Sequence, residues 1–161
     1  MAAGLLLGSA QPRGTGAGGL MDMASISTEK PARRDQRRRL LIVDDEPHLA
    51  RTLQILLGDE HDVDVVTSGS DARARLEKDP AFDAILCDLA MGDVSGMDLH
   101  DWLARERPLM AARMIFMTGG AYTPEARAFL DRVPNPRVEK PFRLEELQAL
   151  VRDVAERGST R

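Results

Sequence analysis

The sequence predicts an α/β fold in which helices cover both faces of a parallel sheet. After residue 39, short apolar segments alternate five times with longer segments whose apolar residues recur at helical spacing. Strands that alternate with helices of about ten to fifteen residues form parallel βαβ units, and right-handed crossovers place the helices on both faces. The chain has 161 residues, 43% of them apolar, which is enough for the one core that this fold needs.

The first repeat begins with LLIV at 40–43, a short apolar run that fits a buried strand. Pro47 suits the first turn of a helix, and Gly58 favours its end. DVDVV at 62–66 alternates in polarity and predicts the second strand. Between these strands, one helical face is predicted to carry Leu49, Leu53, Leu56 and Leu57.

The second and third repeats follow the same order. Ser68 or Ser70 can cap the second helix, and FDAILC at 82–87 predicts a third strand. The third helix is predicted over Gly96–Glu106, and Pro108 is expected to end it.

The last two repeats contain RMIFM at 113–117 as the fourth strand and a short fifth strand around Arg137–Glu139. Pro124 opens the helix between them, and the final helix is predicted over 143–157. The inner side of the helix after Pro124 is predicted to carry Ala128, Phe129 and Val133.

The ordered domain is predicted to span residues 37–157. Residues 1–36 are rich in Gly, Ser, Ala and Arg without an apolar period, so we expect a disordered arm there, and a flexible tail at 158–161. No DNA-binding module is expected after the last helix.

Charge and cysteine content narrow the expected partners and location. Residues 1–39 carry a net charge of +4 and the remaining 122 residues carry −8, so we expect no direct DNA binding by the acidic body. The single cysteine, Cys87, forms no internal disulfide and is expected to be a buried strand residue. With no apolar stretch long enough to span a bilayer, we expect a cytoplasmic protein that does not contact membranes.

Polar side chains follow four of the five predicted strands. Asp44 and Asp45 follow the first strand, Asp88 the third, Thr118 the fourth and Lys140 the fifth. Each alone fits a helix cap, a turn or a solvated lysine. Together they converge, because parallel strands point their carboxyl ends to one edge, where such folds bind ligands. Clustered carboxylates repel one another without a cation, so the sequence predicts a site for a hard ion such as Mg²⁺.

The stretches around these residues resemble the response-regulator receiver domain of bacterial two-component signalling. The matching stretches are LLIVDDEP (40–47), ILCDLAMGDVSGMDL (85–99), MIFMTGG (114–120) and VEKPF (138–142). The resemblance implies a three-layer, flavodoxin-like (βα)5 fold with strand order 2-1-3-4-5. It also implies a cis peptide bond between Lys140 and Pro141.

The resemblance further implies a role for each residue of the site. Asp88 would be the phosphoacceptor, which takes a phosphoryl group from a phosphohistidine; Thr118 would be the switch hydroxyl, and Lys140 would contact the phosphoryl group. The Mg²⁺ ligands would be Asp44, Asp45, Asp88 and the backbone carbonyl of Ala90, with Asp44 acting directly or through water. The chain would thus be a signalling phosphoacceptor, not an enzyme, that supports only its own phosphorylation and dephosphorylation.

The implied partners are a histidine kinase or phosphotransfer protein as donor and a downstream protein target. Two alternatives remain open at this point. One is a degenerate receiver that only binds proteins. The other is a phosphatase of the haloacid-dehalogenase type, which Asp88-Leu89-Ala90 does not favour because the second acid of an Asp-x-Asp motif is missing.

Two positions depart from the family pattern. Gly92 stands where receivers usually carry proline, which predicts a more flexible loop after Asp88. Arg137 stands where many receivers carry the aromatic residue that reports the switch, and Tyr122 and Phe129 are the candidates to replace it. The MTGGAYTPEAR and NPRVEKPF stretches are similar in style to receivers of hybrid histidine kinases.

Overall fold

The computed structural model describes residues 37–120 and 122–159. It contains one five-stranded sheet with the strand order β2-β1-β3-β4-β5, and every pairing in it is parallel. The predicted fold class and strand order are therefore confirmed. The expected arm at 1–36 and the last two residues of the expected tail lie outside the described residues.

The elements follow one another in strand–helix order, and one extra helical turn interrupts that order before β4. The strands are β1 (Arg39–Val43), β2 (Asp62–Val66), β3 (Ala84–Asp88), β4 (Met114–Thr118) and β5 (Arg137–Glu139). The helices are α1 (Pro47–Gly58), α2 (Gly69–Lys78), α3 (Gly96–Glu106), the short α4 (Pro108–Ala111), α5 (Pro124–Arg132) and α6 (Leu144–Ser159).

Two apolar layers cover the two faces of the sheet. Alternate residues of a strand point to opposite faces, so Leu41 and Val43 pack on the side of α2, α3 and α5, whereas Leu40 and Ile42 pack on the side of α1 and α6. All four of these β1 side chains are fully buried. This arrangement is the three-layer architecture that the sequence predicts, and it leaves the carboxyl edge of the sheet for the polar residues.

The structure corrects several details of the helices. Pro108 does not only end α3, because it also opens the short helix α4. The buried face of α5 consists of Ala126, Phe129 and Leu130 at helical spacing, and Ala128, predicted to face inward, is exposed. On α1, Leu56 is 42% exposed, and Ala50 takes the inward position that completes the face of Leu53 and Leu57.

The last helix, Leu144–Ser159, begins one residue later and ends two residues later than predicted. Gly158 and Ser159, which were expected to begin a flexible tail, belong to α6. The carbonyl oxygen of Gly158 accepts a hydrogen bond from Arg113 Nη2 at 3.1 Å, and Ser159 Oγ donates to the carbonyl of Ala155 at 3.1 Å. The bond from Arg113 satisfies a carbonyl group that a helix end otherwise leaves without a partner.

Candidate functional site: an acidic cluster at the carboxyl edge of the sheet

Three aspartates meet where β1 and β3 end. Asp44 and Asp45 directly follow β1, and Asp88 is the last residue of β3, which pairs with β1 in parallel. One carboxylate oxygen from each residue lies within 4.8 Å of the others. Asp44 is fully buried, Asp88 is 8% exposed and Asp45 is exposed. The predicted convergence of these acids is therefore present in the structure.

Lys140 is the cation that faces this cluster. Its Nζ donates a hydrogen bond to Asp44 Oδ2 at 2.9 Å and lies 3.6 Å from Asp88 Oδ2. Burial lowers the pKa of Lys140, but its hydrogen bond to Asp44 and the attraction of the nearby carboxylates outweigh that effect and raise the pKa above its usual range. Lys140 therefore forms ion pairs with two carboxylates and stays charged at neutral pH.

Asp88 is less well compensated than Asp44. Burial raises the pKa of Asp88 above its usual range, Lys140 offsets part of that effect, and the negative charge of Asp44 adds to it. Among the described residues, the only hydrogen bond to its carboxylate comes from the backbone N–H of Ala90, at a long 3.4 Å. Asp44, by contrast, accepts from Glu46 N at 2.9 Å with one oxygen and from Lys140 with the other.

The donor set fits a small hard cation. Mg²⁺ prefers carboxylate and carbonyl oxygens, and the three carboxylates are close enough to share one ion. Because both oxygens of Asp44 already accept hydrogen bonds, Asp45 and Asp88 are the better candidates for direct ligation. The carbonyl of Ala90, two residues after Asp88, lies on the same loop.

Thr118 ends β4, the neighbour of β3, and is 2% exposed. Its hydroxyl lies 3.4 Å from the carbonyl oxygen of Val138 on β5 and 3.0 Å from the hydroxyl of Tyr122. The next strand, β5, is followed by Lys140, and the Lys140–Pro141 peptide bond is cis, as expected. All five predicted side chains therefore belong to one edge of the sheet.

A family model described as response regulator receiver domain matches residues 40–152. The chain belongs to the response regulator receiver domain family. The match covers the described sheet, from β1 into α6, and every side chain of the acidic edge.

Curated relatives of this receiver are bacterial regulators. The chain is 31% identical over 121 residues to the transcriptional regulatory protein TcrA of Mycobacterium tuberculosis, in an alignment that covers 74% of this chain and 47% of TcrA. It is 32% identical over 117 residues to the DNA-binding response regulator MtrA of Mycolicibacterium smegmatis, covering 72% of this chain and 50% of MtrA. The chain spans about half the length of these two relatives.

Solved structures show the same fold. A CheY-like receiver domain protein from Methanospirillum hungatei is 26% identical with a TM-score of 0.66, covering 76% of this chain and 97% of that chain. A receiver domain protein from Clostridium thermocellum is 22% identical with a TM-score of 0.69 and the same coverage. Within residues 37–120 and 122–159, no helix is both long and apolar enough to cross a bilayer.

The loop that carries Gly92 is hydrogen-bonded to the start of α2 in this receiver. The carboxylate of Asp93 accepts hydrogen bonds from the backbone N–H groups of Gly69 and Ser70 at 3.2 and 3.1 Å, and also from the Ser70 hydroxyl. The Ser70 hydroxyl and these N–H groups hold the pKa of Asp93 well below its usual range. The flexibility predicted from Gly92 stays a prediction, but Asp93 supplies an anchor one residue later.

Gly96 lets the same loop approach the end of β3 closely. A Cβ at Gly96 would lie 2.5 Å from the backbone oxygen of Asp88, too close for any other residue. The N–H of Gly96 donates to the carbonyl of Leu89 at 3.0 Å. The glycine therefore holds the start of α3 against the end of β3.

The two candidate aromatic residues occupy different places. Phe129 is buried in the core, where its ring packs edge-on against Phe116 at 5.3 Å between centroids. Tyr122 contacts Thr118 directly, and Arg137, at the usual aromatic position, is exposed. Sequence reasoning named Tyr122 but gave no contact for it, and it missed the role of Asp93; an Asp next to Gly in a loop indicates a turn but does not identify the helix that it caps.

Proposed function

We propose that this receiver accepts a phosphoryl group on Asp88 and thereby switches a protein-binding surface. The observation that carries the proposal is the position of Asp88, buried within 3.6 Å of the Lys140 ammonium and beside two further carboxylates. A buried, poorly hydrogen-bonded carboxylate keeps its oxygens available for attack. Each oxygen of Asp44 accepts a hydrogen bond at 2.9 Å, so Asp44 is a poorer nucleophile than Asp88.

The donor would be a phosphohistidine on a histidine kinase or a phosphotransfer protein. A carboxylate oxygen of Asp88 forms the new bond to phosphorus while the phosphorus–nitrogen bond breaks, and the imidazole leaves with the electron pair. Lys140 stabilises the negative charge on the transferred oxygens, because phosphoryl transfer depends mainly on positioning and electrostatics. Mg²⁺, held by Asp45, Asp88 and the Ala90 carbonyl with help from Asp44, would supply further positive charge at the same place.

The switch would begin at Thr118. Its hydroxyl lies at the end of β4, next to the strand that carries Asp88, and would turn to donate to a phosphoryl oxygen. That movement would bias the loop before α5 and the neighbouring β5 between two packings. A downstream protein would read the difference, and the net charge of −8 over residues 40–161 supports our expectation that the acidic body does not itself bind DNA.

The proposed chemistry confines catalysis to the protein's own phosphorylation and dephosphorylation. Membership of the receiver family leaves the haloacid-dehalogenase alternative without support. The single cysteine, Cys87, is buried and its thiol pKa is raised by that burial, which is compatible with the reducing cytoplasm that we propose as its location.

Intact-mass measurement with acetyl phosphate and Mg²⁺ tests the proposal. We expect wild type to gain one phosphoryl group, and we expect no gain for Asp88→Ala or after a chelator is added. Asp71→Asn is the matched control, because Asp71 is exposed in the first turn of α2 at the same edge of the sheet. If wild type gains no phosphoryl group although it binds Mg²⁺, the proposal is wrong and a receiver that only binds partners replaces it.

A further inference from the structure

Tyr122 holds the hydroxyl group that the proposed switch has to move. The Tyr122 hydroxyl lies 3.0 Å from Thr118 Oγ1, within hydrogen-bond distance. The tyrosine is partly buried and packs against the apolar layer of α2, α3 and α5. Its ring is therefore positioned by the core, and its hydroxyl reaches the end of β4.

The direction of the two hydrogen bonds at Thr118 follows from donor chemistry. The carbonyl oxygen of Val138, 3.4 Å from Thr118 Oγ1, can only accept, so the single hydroxyl proton of Thr118 is needed there. The Tyr122 hydroxyl then donates to a lone pair of Thr118 Oγ1. Together, Tyr122 and Val138 hold a buried hydroxyl in one orientation.

We propose that Tyr122 is a positioning residue that holds Thr118 in its unphosphorylated arrangement and is released when Asp88 is phosphorylated. This inference rests on the proposed function of Asp88. To donate to a phosphoryl oxygen, Thr118 must give up its bond to Val138 and rotate, which breaks the geometry of the Tyr122 bond. The phenol then loses a partner that a half-buried hydroxyl needs.

The loop around Tyr122 connects this bond to α5. Gly120 has a φ of +82°, a left-handed backbone conformation that glycine adopts at little cost. A side chain at Gly120 would also collide with the Glu139 carboxylate. Thr123, next to Tyr122, caps α5 by accepting from the N–H of Ala126 at 3.1 Å. Movement of Tyr122 therefore acts on the first turn of α5.

The exposed Arg137 explains why this role falls to a loop residue. An aromatic side chain at that β5 position is missing, whereas the partly buried Tyr122, four residues after Thr118, lies with its hydroxyl 3.0 Å from Thr118 Oγ1. The ring of Phe129 is fixed in the core, where it contacts Phe116 and His100. Of the two aromatic candidates, Tyr122 alone contacts the Thr118 hydroxyl.

A spectroscopic test is direct, because the chain contains one tyrosine. Protein labelled with ¹³C at tyrosine Cζ gives a single resonance that reports the hydrogen bond of Tyr122. We expect this resonance to shift when Mg²⁺ and beryllofluoride, a phosphoryl mimic that activates the DrrB receiver, are added. Thr118→Val, which removes the hydroxyl but keeps the shape, should shift it without any ligand.

Binding measurements add a second readout that a merely structural role would not move. Tyr122→Phe keeps the ring, so thermal stability should change little, while beryllofluoride should bind roughly 2- to 10-fold more tightly because one hydrogen bond no longer opposes the switch. In a Thr118→Val background, Tyr122→Phe should have no further effect on that affinity. Calorimetry in the presence of Mg²⁺ measures both.

The outcomes separate this inference from the proposed function. The inference is wrong if beryllofluoride binds but the tyrosine resonance does not shift, or if Tyr122→Phe binds it no more tightly than wild type. Tyr122 is then not a positioning residue for Thr118, and the proposed phosphoacceptor role of Asp88 is unaffected. If beryllofluoride does not bind at all in the presence of Mg²⁺, the proposed function is wrong, and the proposed role of Tyr122 is wrong with it.

Discussion

Charged side chains are arranged differently at the two ends of the sheet. At the amino-terminal ends of the strands, arginines donate to backbone carbonyls and to nearby acids. Arg37 donates to the carbonyls of Asp59, Gly58 and His61, and Arg113 donates to those of Phe82 and Gly158. At the carboxyl ends, three aspartates gather around one lysine, and the carboxylate of Asp88 makes one long hydrogen bond.

This difference indicates that the charges at the amino-terminal edge stabilise the fold, whereas those at the carboxyl edge form the candidate functional site. Arg37 and Arg113 donate to several backbone carbonyls at once, so we expect these charges to stabilise the protein. At the carboxyl edge, like charges are held close together and partly desolvated, which costs stability. Such a cost is retained where ligand binding or chemistry requires it, and perturbed acids of this kind mark functional sites.

The largest expected effect comes from removing Lys140, the cation that contacts Asp44 and Asp88. Lys140→Met should slow phosphorylation by acetyl phosphate by about 100-fold, because a positioned charge is lost from the transferred oxygens. Lys140→Arg keeps the charge and should retain a larger share of the rate. A time course of intact mass measures both variants, with circular dichroism to confirm folding. An unchanged rate in Lys140→Met would remove Lys140 from the site.

The reverse result is expected at the amino-terminal edge. Arg113→Met removes charged hydrogen bonds at 2.7 Å to the Phe82 carbonyl and at 3.1 Å to Gly158. It should lower the free energy of unfolding by about 2 kcal/mol and leave the phosphorylation rate unchanged. Urea unfolding measures the loss, and Arg127→Met, at an exposed position of α5, is the matched control. A stability equal to that of the control would contradict the structural role of Arg113.

Neutralising Asp88 should stabilise the protein. The folded state raises the pKa of Asp88, so its contribution to stability is present below the ordinary pKa and is lost as the pH rises through the raised value. Without divalent ions, Asp88→Asn should therefore increase the free energy of unfolding at neutral pH by about 1 kcal/mol. The difference in free energy of unfolding between Asp88→Asn and wild type should become smaller as the pH is lowered. Asp71→Asn is expected to change little, and a destabilised Asp88→Asn would argue against a strained acidic cluster.

The smallest expected effect concerns His61, which is 6% exposed at the amino-terminal edge. Burial lowers its pKa; Glu60 opposes this, and the charges of Arg37, Arg152 and Arg38 add to it. A lowered pKa gives stability that is present above the ordinary pKa and lost as the pH falls through the lowered value. His61→Leu should flatten the decline in urea stability between about pH 7 and about pH 5, and exposed His48→Leu should not. Equal declines in all three proteins would contradict this.

The sequence was sufficient for the features that depend on periodicity and on strand ends. The bounds of β2, β5 and α3 agree with prediction, and Asp44, Asp88 and Lys140 meet because parallel strands share one carboxyl edge. Roles within that edge came from the resemblance to receivers, and the family match supports that resemblance.

Features that depend on tertiary packing were harder to predict. His61 is buried, although a polar residue in a short loop gives no local sign of burial. Leu56 was predicted on the inner face of α1, yet Ala50, a smaller and less apolar residue, occupies the core. The contact between Thr118 and Tyr122 depends on the path of the Gly119–Gly120 loop, which no local pattern specifies.

The proposed function depends most on Asp88 being the residue that carries the phosphoryl group. Reduction of the acetyl-phosphate-treated protein with borohydride converts an acyl phosphate to the corresponding alcohol, and peptide mass spectrometry then locates it. We predict that the reduced residue is Asp88 and that its formation requires Mg²⁺. Reduction at Asp44 or Asp45 instead, or at an exposed acid outside the cluster, would contradict the assignment of the buried end of β3 as the phosphoacceptor.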